Sequence, residues 1–167
     1  MTHFVSKSDT PVSEKDLWRT PLSLFNSLDN EFDFKLDVCA DHDNALCGKF
    51  FSIENSALEN SWATLGAAFM NPPYSMTKEF LGEAARQASE HGVTVVALVN
   101  ANTDTKWFAD AAKTANEIRL ISGRISFVSS SGGAASGNTK GQCIIIWRGK
   151  CKSPCLITMV DRSELCK

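Results

Sequence analysis

Apolar residues along this chain recur with two different spacings that take turns. Residues 1–16 carry few large apolar side chains and read as a flexible N-terminal arm, so a single domain is expected over 17–167. Leu24, Phe25 and Leu28 share one helical face, Thr20 suits an N-cap and Pro21 the first helical position, which predicts a helix over about 21–30. Phe34 to Cys39 reads as a strand running into an acidic, turn-rich stretch, and Ala67 to Met70 as a short strand halted by two prolines. Phe80, Leu81, Ala84, Ala85 and Ala88 recur at helical spacing within Met76 to Glu90, opposite a charged face. Val93 to Val99 is almost wholly apolar, as in a central strand covered on both faces. A helix capped at Asp104 or Thr105 follows, carrying Trp107, Phe108, Ala111, Ala112 and Ala115, and then a strand near Glu117 to Ile121.

Beyond that point, apolar strands near Ile125–Val128, Gln142–Trp147 and Cys155–Val160 leave no room for crossover helices, so antiparallel pairing is expected there. Ser129 to Lys140, rich in serine and glycine, reads as a flexible loop, either a plain hairpin connection or a substrate contact. Alternating strands and helices followed by strands alone predict an α/β fold: a three-layer α/β/α sandwich, its sheet mainly parallel with an antiparallel edge. Such sheets bind ligands beyond the carboxyl ends of their parallel strands. Asp37 to Asp41 and Asn71 to Ser75 fall at such ends.

Composition narrows the class. The chain has 167 residues, 43% hydrophobic, enough for one substantial core. The start is polar and lacks the apolar stretch of a secretory signal, so a cytoplasmic protein is expected, its six cysteines reduced, with no membrane attachment. Cys151 and Cys155 are the closest pair, yet no second pair or nearby histidine completes a ligand set, so no metal is expected. A net charge of -2 excludes the broad electropositive surface of non-specific nucleic-acid binders, so any contact with DNA is local.

Asn71-Pro72-Pro73-Tyr74 is the most informative short motif, expected by chance on the order of once in two thousand chains of this length. A rigid Asn-Pro turn between strand and helix is one reading. The other gives each residue a chemical task. An adenine N6 amine is a poor nucleophile because its lone pair is delocalised into the ring, and it improves when acceptors hold both its protons. The Asn71 side-chain oxygen and the Pro72 main-chain carbonyl supply acceptors, the fixed φ of Pro72 and Pro73 holds the latter in place, and Tyr74 offers a face on which a flipped base stacks.

With these motifs in view, the chain resembles the amino-methyltransferases of the seven-stranded Rossmann-like class, and in particular the short DNA N-6-adenine-methyltransferase family of bacteriophages and prophages. The resemblance runs from about Trp18 to Trp147. It rests on Trp18-Arg19-Thr20-Pro21, on Leu36-Asp37-Val38-Cys39-Ala40-Asp41 and on the tetrad, followed by Asn102-Thr103-Asp104-Thr105-Lys106-Trp107-Phe108 and Gly123-Arg124-Ile125-Ser126-Phe127. The chain departs from the wider class where glycines usually admit the cofactor to the first strand end, having Cys39 and Ala40 there instead.

The resemblance implies site-specific methylation of adenine N6 in DNA, on a flipped base, with S-adenosylmethionine as cofactor and DNA as partner, in a bacterial host cell and a restriction-modification setting. It implies Asn71, Pro72, Pro73 and Tyr74 as catalytic residues. As cofactor contacts it implies Trp18, Thr20, Pro21, Asp37, Cys39 and Ala40, with Asn71 shared, Glu54 at the ribose and Phe69 along the adenine. Several have a plainer role: Thr20 and Pro21 as a helix cap, Asp37 as a solvated acid, Phe69 as core. Ser75, Lys140, Arg148 and Lys150 are candidate DNA contacts, the last three, with Lys152, forming a local basic concentration near the Ser/Gly loop. The tetrad by itself leaves open cytosine N4, RNA or a protein glutamine as substrate, or a non-catalytic nucleic-acid-binding relic of the fold, and either a monomer or a weak dimer.

Overall fold

The computed structural model describes residues 12–135 and 138–167. Its elements are α1 (Val12–Lys15), α2 (Leu22–Phe32), β1 (Phe34–Asp37), β2 (Lys49–Phe50), β3 (Ala67–Met70), α3 (Thr77–His91), β4 (Thr94–Asn100), α4 (Lys106–Thr114), β5 (Glu117–Ser122), β6 (Gln142–Arg148), β7 (Leu156–Asp161) and α5 (Arg162–Leu165). The strands form one seven-stranded sheet in the order β2-β1-β3-β4-β6-β5-β7. Every strand except β6 runs in the same direction.

Helices cover both faces, so this is the expected three-layer α/β/α arrangement. In β4 alternate side chains serve different cores: Val95, Ala97 and Val99 pack with α3 and α4, while Val96 and Leu98 pack with α2 and Leu165 of α5. That double burial is why the strand reads as a continuous apolar run. The helix ends follow local chemistry. Thr105 caps α4 by accepting from the Phe108 amide at 3.3 Å, and Gly92 ends α3 with φ 73°, donating its amide to the Ala88 carbonyl.

Four expectations change. The antiparallel strand β6 lies inside the sheet, between β4 and β5, rather than at its edge. β7 pairs parallel to β5. Lacking a helix, the chain steps from β6 across the start of β5 and enters β7 on the far side, so β6 and β7 are opposed in direction without being neighbours. Asn116 clamps this step: its side chain donates to the Cys151 carbonyl at 3.0 Å and its own carbonyl accepts from the Leu156 amide at 3.0 Å. Ile125 to Val128 is not a strand of the sheet. Ile125 and Phe127 do alternate inward, each 1% exposed, but the segment bridges only Arg19 and Ala134. Lastly, α2 begins at Leu22 with Pro21 at the N-cap, so Thr20 does not cap it.

Of the expected arm, residues 1–11 lie outside the described residues. Its final part belongs to the fold: α1 packs beside the turn at Tyr74–Met76, and Asp16 accepts from the Ser75 hydroxyl at 2.7 Å. In the Ser/Gly segment, Ser129 donates its amide to the Gly133 carbonyl at 2.7 Å and Ala135 to Phe127 at 2.8 Å, so the described part turns back on itself.

Candidate active site

The parallel strands end on one edge, and the informative motifs meet there. Asp37 is in register with Phe69 on the neighbouring strand, which places Asn71 just beyond it, with Cα atoms on the order of 8 Å apart. Asp37 is 3% exposed. One of its carboxylate oxygens accepts from the Cys39 amide at 3.3 Å and the other from the Leu46 amide at 3.1 Å. Burial without a cationic partner raises its pKa to about 6, with the two backbone amides opposing that rise. Burial and the Asp37 charge push the Cys39 thiol well up and the Cys47 thiol to about 12, so both are neutral neighbours. Ala40 donates its amide to the Phe51 carbonyl at 3.0 Å, which carries the pairing of β1 and β2 past their ends.

Asn71 follows β3 directly. Its amide nitrogen donates to the Thr20 hydroxyl oxygen at 3.2 Å and, more weakly, to the Trp18 carbonyl at 3.5 Å. Among the described residues no group donates to its side-chain oxygen or to the carbonyl of the buried Pro72. The Pro73 carbonyl, by contrast, accepts from the Met76 amide at 3.0 Å and opens the single turn Tyr74–Met76 that leads into α3. Tyr74 is half-buried; burial, then the Asp16 charge, push its phenol up, so it stays protonated. Its ring meets the edge of Trp18 at 6.1 Å, and Trp18 in turn stacks on Phe127 at 5.8 Å with 25° between planes. Arg19 pairs with Val128 through backbone bonds of 2.8 and 3.0 Å, which ties the Trp18 segment to the loop after β5.

The remaining predicted residues divide. Phe69 is 1% exposed and packs against Phe25 at 5.2 Å and Phe34 at 5.3 Å, so its ring belongs to the core. Glu54 is exposed beyond the end of β2 and accepts from the Ser52 hydroxyl at 2.8 Å, a bond that lowers its pKa. Ser75 has both donors on Asp16, its amide at 3.3 Å and its hydroxyl at 2.7 Å, which leaves the hydroxyl oxygen only as an acceptor.

Lys140 and the pair Arg148 and Lys150 are not brought together. Gln142 aligns with Asn100 and Arg148 with Thr94, so β6 carries them to opposite ends of the sheet, about 20 Å apart, Lys140 alone on the catalytic edge. Arg148 is bound at the far end by Glu117 at 2.8 Å and lies 5.3 Å over the Phe32 ring. A cleft of about 760 Å³ at that end is lined by Arg86, Lys113, Lys150 and Lys152. Lys140 is instead joined on the catalytic edge by Arg124, packed on Gly141, and Arg162, packed on Gly123. Among the described residues none of these three cations is in an ion pair. Sequence reading missed Arg162 and Asp16, because only the return of β7 and the placement of α1 bring them to this edge.

Among the described residues no helix is long and apolar enough to cross a membrane, and no cluster of His, Cys, Asp or Glu is arranged to hold a metal ion. The chain matches the family described as DNA N-6-adenine-methyltransferase (Dam) over residues 7–167. It is similar to the DNA N-6-adenine-methyltransferase of Escherichia phage T1, 34% identical across 84% of this chain and 66% of that protein. It is also similar to the DNA N-6-adenine-methyltransferase of Haemophilus phage HP1, 35% identical across 87% of this chain and 86% of that protein. Because the match runs through every element that builds the catalytic edge, from the Trp18 segment to α5, the chain belongs to the DNA N-6-adenine-methyltransferase family.

Proposed function

We propose that this chain transfers a methyl group from S-adenosylmethionine to the exocyclic N6 amine of an adenine turned out of DNA, in the cytoplasm of a bacterium hosting a phage or prophage. The observation that carries this reading is the pair of adjacent acceptors, the Asn71 side-chain oxygen and the Pro72 carbonyl, left without protein donors among the described residues. A planar amine has two protons, and two acceptors at a strand end can hold both. Holding them localises the nitrogen lone pair, so that nitrogen becomes the attacking atom. Transfer forms a nitrogen–carbon bond while the donor's methyl–sulfur bond breaks, its electron pair leaving with sulfur as a neutral thioether, and one N6 proton then departs to solvent, which requires no strong base from the protein. Rate therefore comes from positioning and fixed dipoles. The half-buried Tyr74 ring, held edge to face by Trp18, supplies a stacking face that offsets part of the stacking energy given up when the base leaves the duplex.

Bound S-adenosylmethionine supplies an electrophilic methyl carried on a sulfonium. The residues present fit it: Asp37 is a buried carboxylate without a cationic partner, which an amino group of the cofactor would neutralise. Cys39 and Ala40 offer small side chains beside it, and Trp18, Thr20 and Pro21 border the same edge. Glu54 stands exposed as an acceptor for ribose hydroxyls. Transfer of tritium from labelled S-adenosylmethionine to DNA, RNA and protein in parallel tests the reading. The expected product is N6-methyladenine in DNA. Label on cytosine, in RNA or on a protein glutamine would replace the substrate, and no transfer at all would leave a nucleic-acid-binding relic of the fold.

A further inference from the structure

We infer that Thr20, together with the Trp18 carbonyl beside it, is a positioning residue that holds the nitrogen end of the Asn71 side-chain amide away from the substrate, an inference that rests on the adenine reading above. A side-chain amide is nearly symmetric in shape but not in chemistry: one end accepts hydrogen bonds and the other donates them. Only the orientation with oxygen toward the base holds an N6 proton; the flipped one presents N–H against N–H. Something must choose, and the partners on the far side of Asn71 do.

The Trp18 carbonyl is an acceptor only, 3.5 Å from the Asn71 nitrogen, and would repel the oxygen if the amide turned over. The Thr20 hydroxyl oxygen, 3.2 Å from the same nitrogen and on a residue only 7% exposed, is the nearer acceptor. Its hydroxyl proton could serve either orientation, but with the Trp18 carbonyl beside it only the donated N–H satisfies both. The pairing of Arg19 with Val128 keeps this segment extended, so both acceptors stay on the Asn71 side. This also accounts for a buried threonine that caps no helix.

Single-turnover methylation at saturating cofactor and DNA tests the assignment in four variants. Thr20→Val keeps shape and removes the acceptor; the expected result is a transfer rate lowered by about tenfold even with cofactor saturating, a loss that a cofactor contact alone would not produce. Thr20→Ser restores most of the rate. In an Asn71→Ala background, adding Thr20→Val has no further effect, because the amide it orients is gone. A Thr20→Val variant that loses cofactor affinity but transfers at the normal rate once cofactor is saturating overturns the inference and makes Thr20 a cofactor contact alone. So does a Thr20→Val variant with a normal rate while Asn71→Ala is impaired. Unimpaired transfer by Asn71→Ala, or no transfer to adenine by the unaltered chain, removes the adenine reading and this inference with it.

Discussion

Asn71 and Asp37 sit on neighbouring strand ends, and the proposed function gives them different work that separate measurements resolve. Asn71→Ala removes one acceptor while leaving Pro72 and Asp37 in place, so the methyl-transfer rate falls by about 100-fold or more with cofactor affinity nearly unchanged. Single-turnover kinetics with circular dichroism as the folding control checks this; a structural Asn-Pro turn predicts impaired folding with activity proportional to folded protein. Asp37→Ala instead weakens cofactor binding by about 1–3 kcal/mol, read by calorimetry. The Asp37 pKa of about 6 adds a pH signature. A carboxyl whose folded pKa lies above its unfolded value binds more protons folded than unfolded. Stability of the free protein therefore falls as pH rises from about 4 to about 6 and stays at the lower level above that. A bound amino group prefers ionised Asp37, so affinity is level above pH about 6 and declines below it, with proton release on binding in that range. Thermal melts and calorimetry across this range should show both trends, and Asp37→Ala should flatten both.

At the scale of elements, the turn proposed as catalytic is built from pieces distant in sequence. Tyr74 sits on the turn that opens α3, Trp18 on the segment entering α2, and Phe127 on the loop after β5; Trp18 stacks on Phe127 and meets Tyr74 edge to face, so the three rings form one cluster. Tyr74→Phe keeps the stacking face and retains much of the activity, whereas Tyr74→Ala raises the DNA concentration needed for half-maximal rate more than it lowers the saturated rate, by a factor on the order of ten. Equal losses in both variants would assign the role to the phenol hydroxyl. Asp16 holds Ser75 by its amide at 3.3 Å and its hydroxyl at 2.7 Å, so the last part of the N-terminal segment braces this turn.

Across the whole molecule, the direction of β6 separates two groups of cations. Arg124, Lys140 and Arg162 border the catalytic edge, while Arg148 and Lys150 occupy the opposite end, Arg148 paired there with Glu117. On the proposed function, DNA presented to Asn71 would meet the first group. Neutralising Arg124, Lys140 and Arg162 together weakens DNA binding and lowers the slope of log affinity against log salt by about 0.9 for each phosphate that the protein no longer neutralises. Replacing Lys150 and Lys152 with alanine leaves the slope unchanged. A slope that responds only to the second set would place the duplex at the other end of the sheet.

Much of the architecture is local information: the apolar periods of α2, α3, α4, β4 and β6, the prolines that end β3, and the tetrad with its acceptors are all legible along the chain, because each depends on neighbours a few residues away. Tertiary structure decided what depends on strand order. β6 entered antiparallel between β4 and β5, which put Lys140 and not Arg148 on the edge that carries Asn71; β7 crossed to the far side of β5, which brought Arg162 to that edge. Phe69 went into the core because its face of β3 meets α2, a choice made by which helix covers which side. Thr20, read as a helix cap, became a partner of Asn71, because a hydroxyl near a helix start bonds whichever buried group lies closest in space. Such partnerships join residues on different strands and loops, and no spacing along one chain encodes which ends will meet.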